Sequence, residues 1–101
     1  MSDFFEIERL VEDLAKIYST ACATSWYKVN NISKPTIAEF RNKVIEFMKH
    51  LEYTLSTFPQ NNESEKFKKY AISLLNKEME KVQKGENKEV EKRYKYFVEY
   101  I

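Results

Sequence analysis

The sequence predicts an all-α protein, a single-domain four-helix bundle with a long N-terminal helix. Three observations carry that expectation. One glycine and two prolines in 101 residues leave few places to turn, which favours a few long helices over many short strands. Apolar residues recur at spacings of three and four along most of the chain, the period of a helix face. Capping patterns stand ahead of these apolar stretches. The helices are expected over about 3–29, 36–58, 62–84 and 87–101, in one domain covering 1–101.

The first helix opens on Asp3 and Glu6, the spacing of a capping box. At 100° per residue, Phe4, Ile7, Val11, Leu14, Tyr18, Cys22 and Val29 form one apolar stripe, and Leu10, Ile17 and Ala21 form a second beside it. Two adjoining stripes call for more than one covering neighbour, so this helix is the expected spine. Trp26 lies at the edge of the stripe, and Phe5 and Tyr27 fall off it. The first turns carry Asp3, Glu6, Glu8, Glu12 and Asp13 against Arg9, acids that complement the N-terminal end of the helix dipole.

Asn30 to Ser33 make the first break. Pro35 presets an opening turn, Thr36 and Glu39 repeat the capping-box spacing, and Ile37, Phe40, Val44, Phe47, Met48, Leu51, Leu55 and Phe58 follow on one face. Pro59 stops this helix, and the polar stretch after it is a loop. The third helix buries Phe67, Ala71, Leu74, Leu75, Met79 and Val82 and ends before Gly85, the natural residue for a left-handed C-terminal turn. The fourth buries Val90, Tyr94, Phe97 and Ile101. The second and third helices are expected to run antiparallel across their short connection.

Composition excludes several function classes. A net charge of +1 gives no global field toward nucleic acid or membranes, so any such affinity must come from local patterning. A single cysteine, Cys22, forbids an internal disulfide, and with no signal peptide visible the protein reads as cytoplasmic. No apolar run approaches the ~20 residues of a membrane span. One histidine, His50, and one cysteine are too few for a Cys/His zinc site, and neither a phosphate loop nor a nucleophile elbow occurs. No cofactor, no metal and no enzymatic activity are expected. Glu78 falls inside an apolar stripe; it either reaches water past the end of the core or is buried beside Arg41 or Arg93.

Two surfaces stand out. Lys66, Tyr70, Ser73, Lys77, Lys81 and Lys84 share one side of the third helix. The four lysines make a cationic rail about 27 Å long by helical rise, able to follow a phosphate backbone with Tyr70 placed to stack. Arg93 on the fourth helix could extend it. Lysine lacks bidentate geometry, so such contact would be non-specific. The other surface is aromatic: Phe5, Trp26, Tyr27, Tyr53, Tyr96 and Tyr100 are candidates for a protein interface, being of types enriched at binding hot spots.

The segment Ser33-Lys-Pro-Thr-Ile-Ala-Glu-Phe-Arg-Asn-Lys-Val leads a polar cap into a helix bearing Arg41 and Lys43, and Arg93-Tyr-Lys-Tyr-Phe-Val-Glu-Tyr-Ile ends the chain in an aromatic helix. Both segments resemble parts of the small all-helical subunits of CRISPR effector complexes of the type III-A and type I-A kind, a resemblance that covers about a third of the chain. The resemblance implies a non-catalytic filament subunit touching guide and target nucleic acid through Arg41, Lys43 and neighbouring lysines. The expectation is therefore a small binding subunit of a larger assembly that contacts a nucleic-acid backbone. The alternative is a protein–protein adaptor or self-associating accessory protein, for example of viral or plasmid origin, without nucleic-acid binding.

Overall fold

The computed structural model describes residues 2–57 and 62–100, and the side chains of all of these but 2–5, 7 and 62–64. It is a bundle of four helices, and no strand occurs among the described residues. The long N-terminal helix is continuous but not uniform. Helix α1 (Ser2–Asp13) passes through a π-helical turn (Leu14–Tyr18) into α2 (Ser19–Val29). Helices α3 (Ile37–Ser56), α4 (Asn62–Gln83) and α5 (Lys88–Tyr100) follow. The Asp3–Glu6 capping pattern, the side chains of Phe4 and Ile7, and Phe58, Pro59 and Ile101 lie outside the described residues.

The π turn changes which residues face inward. Its i→i+5 bonding, seen where the Ser19 N–H donates to the Leu14 carbonyl, amounts to one extra residue in the helix. Downstream, the expected stripe of Tyr18, Cys22 and Val29 is rotated away from the core, and Ala15, Ser19, Thr20, Ala23 and Tyr27 are buried instead. The Ser19 hydroxyl donates to the Leu14 carbonyl at 3.4 Å, and that of Thr20 to the carbonyls of Lys16 and of Ile17, the latter at 3.2 Å. These buried hydroxyls are thereby satisfied inside their own helix, as buried polar groups must be.

Two of the expected helix stops, those after α2 and α4, are Schellman motifs. Ile32 N–H donates to the Tyr27 carbonyl and Asn31 N–H to that of Lys28, with Asn31 at φ 58°. Glu86 N–H donates to Lys81 and Gly85 N–H to Val82, with Gly85 at φ 75°. Between them, Thr36 and Glu39 form the capping box of α3: Glu39 N–H donates to Thr36 Oγ1 at 3.1 Å, and Thr36 N–H to Glu39 Oε1 at 2.9 Å. Pro35 precedes this cap rather than opening the helix, is buried, and lends its carbonyl to the Tyr94 hydroxyl at 2.8 Å.

Packing follows from these ends. Helix α3 runs antiparallel to α4, as expected, with Lys68 of α4 donating to the Ser56 carbonyl at the foot of α3. Helix α4 lies along α1, where the Tyr70 hydroxyl meets Glu8, and α5 lies along α2. Since α4 and α5 scarcely touch, they form one column broken at Gly85, and each covers half of the spine. The molecule measures 46 × 24 × 19 Å with a radius of gyration of 14.6 Å, against about 12.7 Å for a typical domain of this length. One half of the core is aliphatic, with Val11, Val44, Met48, Ala71, Leu75 and Val82. The other is aromatic: Tyr27, Phe40 and Phe97, one each from α2, α3 and α5, have ring centroids 6.0–6.2 Å apart.

Candidate interaction surface

The sequence-predicted cations divide into engaged and exposed groups. Arg41 forks onto Glu91 of α5, Nε at 2.9 Å and a terminal nitrogen at 2.6 Å, and it closes the α4–α5 junction from α3. Lys43 sits 3.7 Å from the centroid of the Trp26 ring and pairs with Glu46 at 2.7 Å. Its amine is thus held against α2 by a cation–π contact. Neither side chain that carries the effector-subunit resemblance reaches freely into solvent. Arg93 pairs with Glu89 one turn earlier at 2.9 Å.

The lysine rail does form one side of α4, but it faces acids. Lys81 pairs with Glu78 and Lys84 with Glu80, each at 3.4 Å. Tyr70 is half-buried and donates to Glu8 at 3.3 Å rather than standing clear for stacking. Burial, then the Glu8 charge, raises its hydroxyl above the usual value. Lys66 and Lys77 remain exposed. Beside the rail, a cleft of about 510 Å³ is lined by Glu12, Asp13, Glu78, Glu86 and Glu89 against Lys16, Lys81 and Lys88. Opposed charges this close leave little net field for a polyanion.

Glu78 lies at the floor of that cleft and is buried, not solvated. Its partners are the Asn87 amide, donating at 3.3 Å, and Lys81, rather than Arg41 or Arg93. Asn87 is buried too, and its Oδ1 accepts from Val90 N–H at 3.1 Å as the N-cap of α5. The carboxylate thereby ties the end of α4 to the start of α5. Among the described residues no cluster of three or more His, Cys, Asp and Glu could hold a metal ion. No helix among them is long and apolar enough to cross a membrane.

The candidate aromatics are not brought together. Tyr27 is only 4% exposed and belongs to the core, which corrects its assignment to an interface; the π turn is what rotates it inward. Trp26 is half-buried, edge-on to Tyr27 and covered by Lys43. The Phe5 side chain lies outside the described residues. Tyr53 is exposed at a cleft of about 700 Å³ between α3 and α4, toward the far end of the molecule. Tyr96 and Tyr100 are both exposed on α5, with ring centroids 4.6 Å apart. Beside them a groove of about 430 Å³ between α2 and α5 is lined by Thr24, Lys28, Lys92, Arg93 and Tyr96 among others.

The surface that sequence reasoning missed is the outer face of the long helix. Leu10 is 60% exposed, Tyr18 50% and Val29 80%, and the partly buried Leu14 and Cys22 lie between them. Spaced by four, four, four and seven residues, they occupy one flank of the spine on successive turns. A hydrogen bond with the Cys22 thiol, then the charge of that group, raises the Tyr18 hydroxyl above its usual value. Ile17 and Ala21 are exposed alongside. The signal was present: all these residues were read as apolar stripes, but as buried ones.

No protein-family model matches the chain, and neither the curated proteins nor the solved structures provide a match.

Proposed function

We propose that this protein is a non-catalytic binding module that works by protein–protein contact through the outer flank of its long helix. The observation that carries this reading is the run of exposed Leu10, Tyr18 and Val29, with the partly buried Leu14 and Cys22 between them, on one flank of the spine. Contiguous apolar surface of this kind marks interaction sites far more often than scattered single side chains do. The elongated shape supports it as well. The chain exposes 7072 Å², roughly 1,000 Å² more than the area expected of a compact monomer of its mass. The test is native purification followed by light scattering, with wild type beside a Tyr18→Glu, Val29→Glu variant. A mass above one chain, or a partner co-purifying in fixed ratio, should be lost in the variant. A clean monomer with nothing attached overturns the reading.

A second reading, contact with a nucleic-acid backbone, is favoured by the exposed Lys66 and Lys77 and by the Lys28, Lys92 and Arg93 side of the α2–α5 groove. With Arg41 and Lys43 engaged within the fold and Arg93 paired with Glu89, the exposed lysines among these are the cations that would carry it. It expects binding to single-stranded RNA or DNA that weakens steeply with salt and is reduced by Lys66→Glu with Lys77→Glu.

A further inference from the structure

We propose that the partner on the outer flank of the long helix is a second copy of this chain, packed antiparallel about a two-fold axis that passes close to Tyr18 and Cys22. This rests on the protein-contact reading above and names its partner. Three features select a copy over another occupant.

The first is charge. The spine is acidic in its first half, with Glu6, Glu8, Glu12 and Asp13 against Arg9, and basic toward its end, with Lys28 and no acid after Asp13. An antiparallel pair lays the acidic half of each copy against the basic end of the other. With Tyr18 opposite Cys22, Lys28 of one copy falls within a turn of the exposed Asp13 of its partner, twice over, while Glu12 pairs with Lys16 of its own chain at 3.9 Å. The parallel arrangement would place like charges together, and it would also align the two helix dipoles unfavourably.

The second is the apolar pattern. Leu10 and Val29 stand at nearly equal distances from that axis, so each meets the other across it, and Leu14 meets the region of Ser25. This is the self-complementarity an isologous interface requires, and it closes with two copies instead of propagating into a filament. Beside the axis Tyr18 of each copy faces Cys22 and Ala21 of the other, side chains small enough to leave room for its ring, while Leu10 and Val29 close the two ends.

The third is area. Burying roughly 500 Å² on each copy reaches the ~1,000 Å² total at which an interface becomes specific, about half of the surface by which each chain exceeds a compact monomer.

The test uses the purified chain alone. Light scattering at micromolar and at millimolar concentration should show the mass rising from 12.2 kDa toward twice that value. Tyr18→Glu or Val29→Glu, both at exposed positions, should raise the dissociation constant at least tenfold while the helical circular dichroism stays unchanged. Lys28→Glu should weaken the pair about tenfold, and adding Asp13→Lys to the same chain should restore it, a recovery that only self-pairing in this orientation produces. A short bismaleimide should join Cys22 to Cys22 in wild type and not in Val29→Glu. A wild-type chain that stays monomeric at millimolar concentration overturns the proposal. So does a dimer indifferent to the flank variants, or one whose charge swap gives no recovery. If the pure chain is monomeric but a different protein binds in fixed ratio and is lost in the flank variants, self-pairing falls while the protein-contact reading stands. If neither forms, both fall.

Discussion

Arg41 and Gly85 occupy each other's space. A Cβ built on Gly85 would lie 2.7 Å from a terminal nitrogen of the Arg41 guanidinium, which is held there by its fork onto Glu91. Gly85 is therefore required twice, for its φ of 75° and for the approach of a side chain from α3. Gly85→Ala should cost about 2 kcal/mol, of which about 1 kcal/mol is the left-handed backbone. In an Arg41→Ala background only the backbone part should remain. Urea unfolding of the four chains gives the coupling, and purely additive costs would show that the two side chains do not compete.

Tyr27 should behave as a core residue. Its ring lies 6.2 Å from that of Phe40 and 6.0 Å from that of Phe97, joining α2 to α3 and α5. Tyr27→Ala should cost about 3–5 kcal/mol, a large share of a small domain's stability. Tyr53→Ala, at an exposed position, should stay within about 0.5 kcal/mol. Equal effects in thermal melts would contradict the placement of Tyr27.

Asn87 serves two helices, capping α5 and donating to the buried Glu78 at the end of α4. Asn87→Ala should cost about 1–2 kcal/mol through the cap alone, with a further loss from the carboxylate left with Lys81 as its partner. Replacing Glu78 by Gln in the same chain should recover part of that further loss. If Glu78→Gln costs the same with and without Asn87, the two side chains are not coupled.

The α3 capping box makes a small acid-sensitive contribution. Hydrogen bonds from the backbone N–H of Thr36, and then from its side chain, hold the Glu39 carboxyl below its usual value. A depressed carboxylate adds stability that is complete above the unfolded-state value and lost as pH falls through the folded-state value. The difference in unfolding midpoint between wild type and Glu39→Gln should therefore shrink between about pH 7 and about pH 3. A difference that grows on acidification would reverse the sign.

Much of the fold was legible because local chemistry and tertiary packing agree at the helix ends. Thr36 with Glu39, and Gly85, form the cap and the stop their residue types suggest, and α3 buries the face its spacing marks. The long helix was legible in extent and wrong in phase. A constant 100° per residue cannot register the extra residue of a π turn, so Tyr18, Cys22 and Val29 were assigned inward and Tyr27 outward. The cationic surface was read correctly as a face and incompletely as a field. Periodicity places Lys81 and Lys84 on one side, but it says nothing of Glu78 and Glu80 beside them, or of Trp26 beneath Lys43.

The π turn also determines where the spine tolerates a change in length. One residue removed from within Leu14–Tyr18 leaves an ordinary α-helix that still delivers Ser19, Ala23 and Tyr27 to the interior. The same deletion a turn before or after would swing every later side chain by about a quarter of a revolution. Length variation in this helix is thus confined to a five-residue window, and the outer flank runs across it. A shortened chain would keep its core while the spacing between Leu10 and Tyr18 changed, so the interior and the partner-facing surface can be altered separately.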